Sequence, residues 1–424
     1  MNAFIFESYG FSQDDHTASF TYSFDSDVFF TEKITFTQRD DYDEAMLERA
    51  LFLAFAIVGV SYYKLFPGTK IEWKSGAIDT WQAEFLNKVY QEGLGQFAFE
   101  NDLMRHDLAQ FSHTANAPMM GVTYAGEGIV SLQSGGKDSL LTAELLAENH
   151  KQFDSFYITT GSSHPEILDD VGSQLYVSRR SVDIEAIKAA REKGGRNGHV
   201  PVTYIVLSYA IIQAVLLNKK TVLASIGHEG EEPHAWIDDL AVTHQWSKTW
   251  GAEQLLGEYV ERYISPDLQV GSPLRQLSEL RIAELFIQKV WRTYGRSFSS
   301  CNRANYQLGN DTTVLKWCGN CPKCANSYLL FAPFLDALEL QTIFGGEDLF
   351  RKKTLADTFK GLLGIDGAMK PFECVGETEE LRLAYQMAQA RGGYGSLDFT
   401  VPESTYDYMQ RFPHQAWTES WRAL

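Results

Sequence analysis

Six consecutive residues carry the clearest chemistry in this 424-residue chain: Ser134, Gly135, Gly136, Lys137, Asp138 and Ser139. An apolar run at 128–132 precedes them and an amphipathic run at 140–146 follows. The pattern reads as strand, tight glycine turn and helix. Such a turn presents backbone N–H groups and the positive end of a helix to an anion. The two glycines let a phosphate approach the backbone with no side chain in the way. Ser134 and Ser139 add hydroxyls, Lys137 adds charge, and Asp138 is suited to hold a magnesium ion. The common nucleotide-binding P-loop is excluded, because Lys137 is followed by Asp138 and no glycine stands at the required upstream spacing.

A second constellation is Cys301 followed by Cys318-x-x-Cys321-x-x-Cys324. Two CxxC steps sharing Cys321 can bring three thiolates to one tetrahedral ion, and Cys301 would complete the site. Trp317, Gly319 and Pro322 suit a tight knuckle. Structural zinc is the expected occupant; buried free thiols, a redox pair or an iron–sulfur cluster are the alternatives. Cys374 reads as a buried bystander.

A third is the loop 228–234, with His228, Glu229, Glu231, Glu232 and His234, followed by Asp238, Asp239 and His244 to Lys248. Its carboxylates and imidazoles could bind magnesium, bind substrate or move protons; a solvated acidic loop is the plain alternative. A fourth is the glycine loop 194–200, in which Arg196 and His199 could close over a phosphate or carboxylate. A helix–helix linker explains it equally well. Arg303 and Asn305 would reach the site only if the cysteine knuckle packs against it.

The elements that must position these residues follow from periodicity. Residues 1–40 alternate as a hairpin or small antiparallel sheet, with 12–16 as a turn. Residues 43–63 and about 80–92 carry apolar positions at helical steps, separated by the breaker Pro67-Gly68. From 126 the rhythm becomes strand and helix in alternation: strands at 129–132, 153–159 and 221–225, helices at 138–149, 183–193 and 203–217. This predicts an α/β fold with a parallel sheet covered by helices on both faces. Ligands in such sheets bind beyond the carboxyl ends of the strands, here at Ser134, near 160–162 and at 226–228. An amphipathic helix at 278–294 leads into the cysteine cluster and a mostly helical tail, aromatic-rich over 406–421. Three domains are expected: an N-terminal α+β domain at 1–125, the α/β domain at 126–300, and a Cys-rich helical region at 301–424.

The net charge of −18 makes the chain a poor default binder of nucleic acid or anionic membrane. Residues 1–11 lack the charge and apolar core of a secretory signal, and the longest apolar runs fall short of the ~20 residues that span a bilayer. A soluble, cytoplasmic protein is expected.

The loop LQSGGKDS resembles the pyrophosphate loop (PP-loop) of the ATP pyrophosphatase superfamily, which implies an adenine nucleotide α-hydrolase-like domain and ATP as substrate. Together with NGHVPVT, VTHQWSKT, FSSCNRANYQLGN and WCGNCPKCANSYLLFAPFL, the pattern resembles the UDP-N-acetylmuramoyl-L-alanyl-L-glutamate epimerase family of bacterial peptidoglycan synthesis over roughly residues 50–390. The resemblance implies an ATP- and magnesium-dependent inversion of the terminal L-glutamate of a nucleotide-sugar dipeptide, with AMP and diphosphate released. Under it, His228 and His244 are the candidate proton carriers and Asp238 or Glu229 their orienting partners. Arg179, Arg180, Arg196, Lys248 and Arg303, with His199, are candidates for holding an anionic substrate. Competing readings are a nitrile synthase making a deazapurine precursor, which also combines such a loop with a zinc site but is usually shorter, a tRNA-modifying adenylating enzyme, and a zinc-stabilised nucleotide sensor.

Overall fold

The computed structural model describes residues 3–39, 41–114, 118–307 and 312–413. The chain opens as an antiparallel meander of β1 (Phe4–Ser12), β2 (Thr17–Phe24) and β3 (Val28–Thr35). Alternation drives it: Ala18, Phe20, Tyr22 and Phe24 are all buried on one face. Against them packs the Glu44–Val58 helix, capped by Asp43, whose carboxylate accepts from the Met46 N–H at 3.0 Å. β4 (Ile71–Trp73) adds to β1 in parallel. The Thr80–Gln91 helix starts with a full capping box between Asp79 and Gln82.

The α/β half follows. β5 (Ile129–Leu132), β6 (Asp154–Thr159), β7 (Leu175–Ser181), β8 (Thr221–Leu223), β9 (Ala235–Ile237), β10 (Leu240–Val242) and β11 (Gln269–Gly271) complete the strands. Among the described residues, nine strands form one sheet in the order β11-β8-β5-β6-β7-β3-β2-β1-β4, and β9 and β10 make a separate hairpin. From β11 to β7 all neighbours are parallel. The sheet does not break at residue 125. β3 pairs with β7 antiparallel, through Lys33 with Ser181 and Ile34 with Arg180, so each covers an edge the other would leave open. The seam carries a buried polar knot: Arg180 donates to Glu32 at 2.6 and 3.1 Å, and the Tyr62 and Tyr209 hydroxyls donate to the same carboxylate. Glu32 is fully buried, so this satisfied network is costly to break from either side.

The segment Glu44–Tyr63 is long and apolar enough by composition to cross a membrane, which the sequence reading did not expect. It is 83 % buried inside the protein over its most apolar stretch, as a core helix is. The Val202–Leu216 helix is likewise buried on nearly all sides.

A second apolar core gathers the C-terminal helices, chiefly Glu279–Lys289, Pro322–Phe331, Ala356–Leu363 and Thr378–Arg391. The expected 278–294 helix is interrupted at Val290. The Lys137–Glu148 helix contributes Leu140, Leu141, Leu145 and Leu146 to this core, so the helix that follows the glycine turn docks against the Cys-rich region. Residues 414–421 of the aromatic run lie outside the described residues.

Candidate functional site

The glycine turn sits at the carboxyl end of β5, as a strand–turn–helix unit requires. Gly135 has φ +73°, and a Cβ there would stand 2.5 Å from Leu315 Cδ1. Glycine is therefore needed on two counts, backbone sign and space. The Ser139 hydroxyl closes the turn, accepting from the Ser134 N–H at 3.3 Å and donating to the Gly136 carbonyl at 3.2 Å. The segment leading to the cysteines clasps it from outside. Lys137 N–H donates to Ser300 Oγ at 3.3 Å, Ser299 N–H to the Gly135 carbonyl at 3.4 Å, and Tyr306 OH to the Ser134 carbonyl at 3.2 Å.

Lys137 is buried and paired with Asp138 and, at 2.9 Å, with Glu279 at the start of the Glu279–Lys289 helix. Burial opposes the Lys137 charge, but the two carboxylates outweigh it and raise its pKa. Burial alone would raise the Asp138 carboxyl; Lys137, Lys323 and Lys248 hold it below the usual carboxylate range. Glu279 is raised by burial against the pull of Lys137. Its Oε1 is buried with no hydrogen-bond partner among the described residues. Next to it, burial pushes Glu380 up to about 8, even though Glu380 accepts from the Leu280 N–H at 2.7 Å. Glu279 was not singled out in the sequence; it lies 142 residues from Lys137 and nothing local marks it.

The loop 228–234 is held down by a strap, residues 370–380. Glu232 pairs with Lys370 at 2.5 Å and accepts from the Thr378 N–H, His228 Nε2 lies 3.4 Å from Glu377, and His234 stacks on Phe372. Glu229 is buried and pairs with Lys248 at 3.4 Å, not with a histidine. Lys248 is raised despite burial, with Glu229 as its main partner. His244 is half-buried against Gln96 at 2.6 Å and 4.4 Å, ring to ring, from His199. Burial lowers His199 to about 3 and His234 and His244 to about 4, so all three imidazoles are neutral at pH 7. The strap also brings in Glu373 and Cys374. A His244 ring nitrogen, a Glu373 oxygen and the Cys374 sulfur lie within 4.8 Å of one another.

The remaining candidates lie elsewhere. Asp238 is exposed at the tip of the β9–β10 hairpin with φ +50°, in the position of a turn residue. Arg196 donates to the Asn101 carbonyl at 2.7 Å, Arg179 to the Ser162 carbonyl, and Arg180 belongs to the sheet seam. Arg303 is exposed and donates to the Asn320 carbonyl, whereas Asn305 is buried within the knuckle. Two cavities, of about 670 Å³ beside Glu127 and Lys219 and about 460 Å³ beside His150 and Phe153, open at the opposite, amino-terminal ends of the parallel strands.

The four cysteines converge as a metal site would require. Cys301 and Cys321 sulfurs are 3.7 Å apart, Cys318 and Cys324 3.7 Å, and Cys321 and Cys324 3.5 Å. Four thiolates at about 2.3 Å from a tetrahedral zinc stand roughly 3.8 Å apart, whereas a disulfide needs about 2.05 Å. The Asn320 and Ala304 N–H groups donate to the Cys318 and Cys301 sulfurs, as suits thiolates. The cluster is shaped to hold a metal such as zinc.

The model of the MurL N-terminal domain matches residues 1–272, and that of the MurL C-terminal domain matches 297–412. A relative from Xanthomonas oryzae pv. oryzae, UDP-N-acetyl-alpha-D-muramoyl-L-alanyl-L-glutamate epimerase, is 35 % identical over 81 % of this chain and 75 % of its own length. Proteins of the same name from Salinispora tropica and a Micromonospora species are 31 % and 33 % identical, over 96 % and 91 % of this chain and 90 % and 87 % of theirs. With both domain models matched in order and relatives of one name aligned along most of its length, the chain belongs to the MurL epimerase family.

Proposed function

We propose that the protein inverts the terminal L-glutamate of UDP-N-acetylmuramoyl-L-alanyl-L-glutamate, using ATP to activate the α-carboxylate and releasing AMP and diphosphate in peptidoglycan precursor synthesis. The observation that carries this reading is a juxtaposition. An anion-type glycine turn with its buried Lys137–Asp138–Glu279 cluster shares Lys248 and Lys323 with a group of neutral proton carriers, His244 and Cys374.

The chemistry explains why both halves are needed. Removing a proton next to a carboxylate would leave two negative charges on neighbouring atoms. Attack of that carboxylate on the α-phosphorus of ATP expels diphosphate and gives an acyl-adenylate, which carries no carboxylate charge. Its α-proton is far more acidic. After proton removal and return, water cleaves the anhydride and AMP leaves.

Turn N–H groups and Lys137 are suited to the diphosphate charge. Asp138 and Glu279 would hold magnesium, and the unpartnered Glu279 oxygen fits that use. Magnesium, when bound, offsets charge on the phosphates. Zinc would serve the cysteine knuckle structurally. Lys248 and Lys323 are suited to steady the anion formed at the α-carbon.

The test is incubation of the zinc-replete protein with ATP and magnesium, with and without the dipeptide substrate. AMP formation that requires the substrate supports the reading. AMP formation equal in both arms, or absent from both, contradicts it.

A further inference from the structure

Cys374 lies 50 residues beyond the last cysteine of the CxxC series, and its spacing assigns it nothing. Its position does. The strap carries it to within 4.8 Å of a His244 ring nitrogen and of Glu373. The His244 tautomer follows from its neighbours. Gln96 Nε2 donates to Glu100 Oε1 at 2.7 Å, so the Gln96 oxygen faces the imidazole and accepts from Nδ1–H at 2.6 Å. Nε2 therefore keeps its lone pair and is the ring's proton acceptor. Glu373, 4.0 Å from that nitrogen, is itself anchored, accepting from Asn302 Nδ2 at 2.9 Å and from the Cys374 N–H at 3.1 Å.

Two cations border the group. Lys323 Nζ donates to the Cys374 carbonyl at 2.7 Å, and the charges of Lys248 and Lys323 act on both the Cys374 thiol and Asp138. The lysines thus link the thiol to the glycine turn. A histidine, a glutamate and a cysteine this close also resemble a metal site. Two neighbouring ammonium groups oppose a divalent cation there and favour an anionic reaction intermediate instead.

We propose that the Cys374 thiol and His244 Nε2 are the two proton-transfer groups at the glutamate α-carbon, an assignment that rests on the epimerase reading above. In one direction His244 Nε2 takes the α-proton, and the C–H electron pair passes into the activated carbonyl. The Cys374 S–H then gives its proton to the same carbon from the other face, leaving a thiolate. Transfer of a proton from the imidazolium to the thiolate resets the pair. Burial holds the imidazole neutral and the thiol protonated, the states in which one accepts and the other donates. Flanking a carbon requires each group about 3–3.5 Å from it, so substrate entry must part them. The segment able to give way is 370–377, which has no helix or strand.

The experiment uses the full, zinc-replete chain and its variants Cys374→Ala, Cys374→Ser and His244→Gln. Substrate-dependent exchange of labelled diphosphate into ATP reports activation. Deuterium uptake from heavy water, started separately from the L- and D-glutamyl substrates, reports proton transfer at each face. Activation is expected to stay within about tenfold of wild type in all three variants, while inversion falls by at least roughly 10²-fold. The cysteine variants are expected to keep deuterium uptake from one epimer only, and His244→Gln from the other only. Inversion by Cys374→Ala within threefold of wild type overturns the proposal. So does joint loss of activation and uptake in both cysteine variants, which marks a structural role. A second tightly bound metal equivalent, lost with Cys374, overturns it in favour of a metal site. Failure of the wild type to activate the substrate refutes the epimerase reading itself, and this assignment with it.

Discussion

His199, His234 and His244 are kept neutral by burial, at about 3, about 4 and about 4, against about 6.5 for an exposed histidine. The sign of the consequence is fixed. The unfolded chain takes up these protons first as pH falls, so their contribution is intact above about pH 6.5 and is lost from there down to about pH 4 for His234 and His244 and about pH 3 for His199. Each can cost up to about 1.4 kcal/mol per pH unit in that window. The denaturant midpoint is expected to drop between pH 7 and pH 5. His234→Phe should flatten that drop, because neither ring nitrogen of His234 makes a hydrogen bond of good geometry among the described residues and the ring already stacks on Phe372. An unchanged slope in His234→Phe would contradict its burial as a neutral ring. Residue by residue, the glycine turn was legible because the signals for strand, turn and helix stand in consecutive positions. Glu279, Lys323, Glu373 and Cys374 were not, because folding alone brings Glu279 to the turn, Glu373 and Cys374 to His244 and Lys323 to the Cys374 carbonyl, and no local spacing announces them. Asp238 shows the reverse case: acidic and next to the histidine loop in sequence, it is carried away on a hairpin tip.

The cysteine knuckle and the glycine turn are mechanically one element. Cys301 N–H donates to Ser299 Oγ at 3.0 Å, and Ser299 Oγ donates to the Lys316 carbonyl at 2.8 Å. Asn305 Nδ2 donates to Ser299 Oγ and to the Cys301 carbonyl. Ser299 and Ser300 in turn hold Gly135 and Lys137. Removing the metal should therefore loosen the turn as well as the knuckle. Chelation, or Cys318→Ser, is expected to lower the melting temperature by at least about 5 °C, corresponding to a loss of roughly 1–3 kcal/mol, and to reduce substrate-dependent AMP formation by more than tenfold. Calorimetry and AMP assay on metal-stripped and reconstituted protein check this; full AMP formation without metal would contradict the coupling. At this scale the longer helices were legible from the 3.6-residue period and from caps such as Asp43 and Asp79. β7 was not, because Leu175–Ser181 is half polar where it meets β3, and the three-residue strands β4 and β11 offer little alternation to read; β8, equally short, was legible as an apolar-centred run at 221–225.

Across the whole molecule, the proposed reaction asks a chain of net charge −18 to accept anionic ligands, and Lys137 and Lys248 are each paired with a carboxylate. In the proposed reaction, magnesium at Asp138 and Glu279 would free Lys137 for phosphate. The site lies where two cores meet, with the Lys137–Glu148 helix packed into the C-terminal one and the loops that bear His199 and His244 resting on the other. The strand–helix alternation from residue 126 was enough to predict a parallel sheet and three of its five parallel strands, β5, β6 and β8. The join to the meander was not, since edge pairing between β3 and β7 depends on a partner 148 residues away. The most direct test of the account is chiral. The protein is incubated with ATP, magnesium and the L-glutamyl substrate, the product is hydrolysed, and the glutamate is resolved by handedness against AMP formed. The account predicts D-glutamate that appears only with ATP, accompanied by AMP; D-glutamate formed equally well without ATP, or AMP formed with L-glutamate wholly retained, would contradict it.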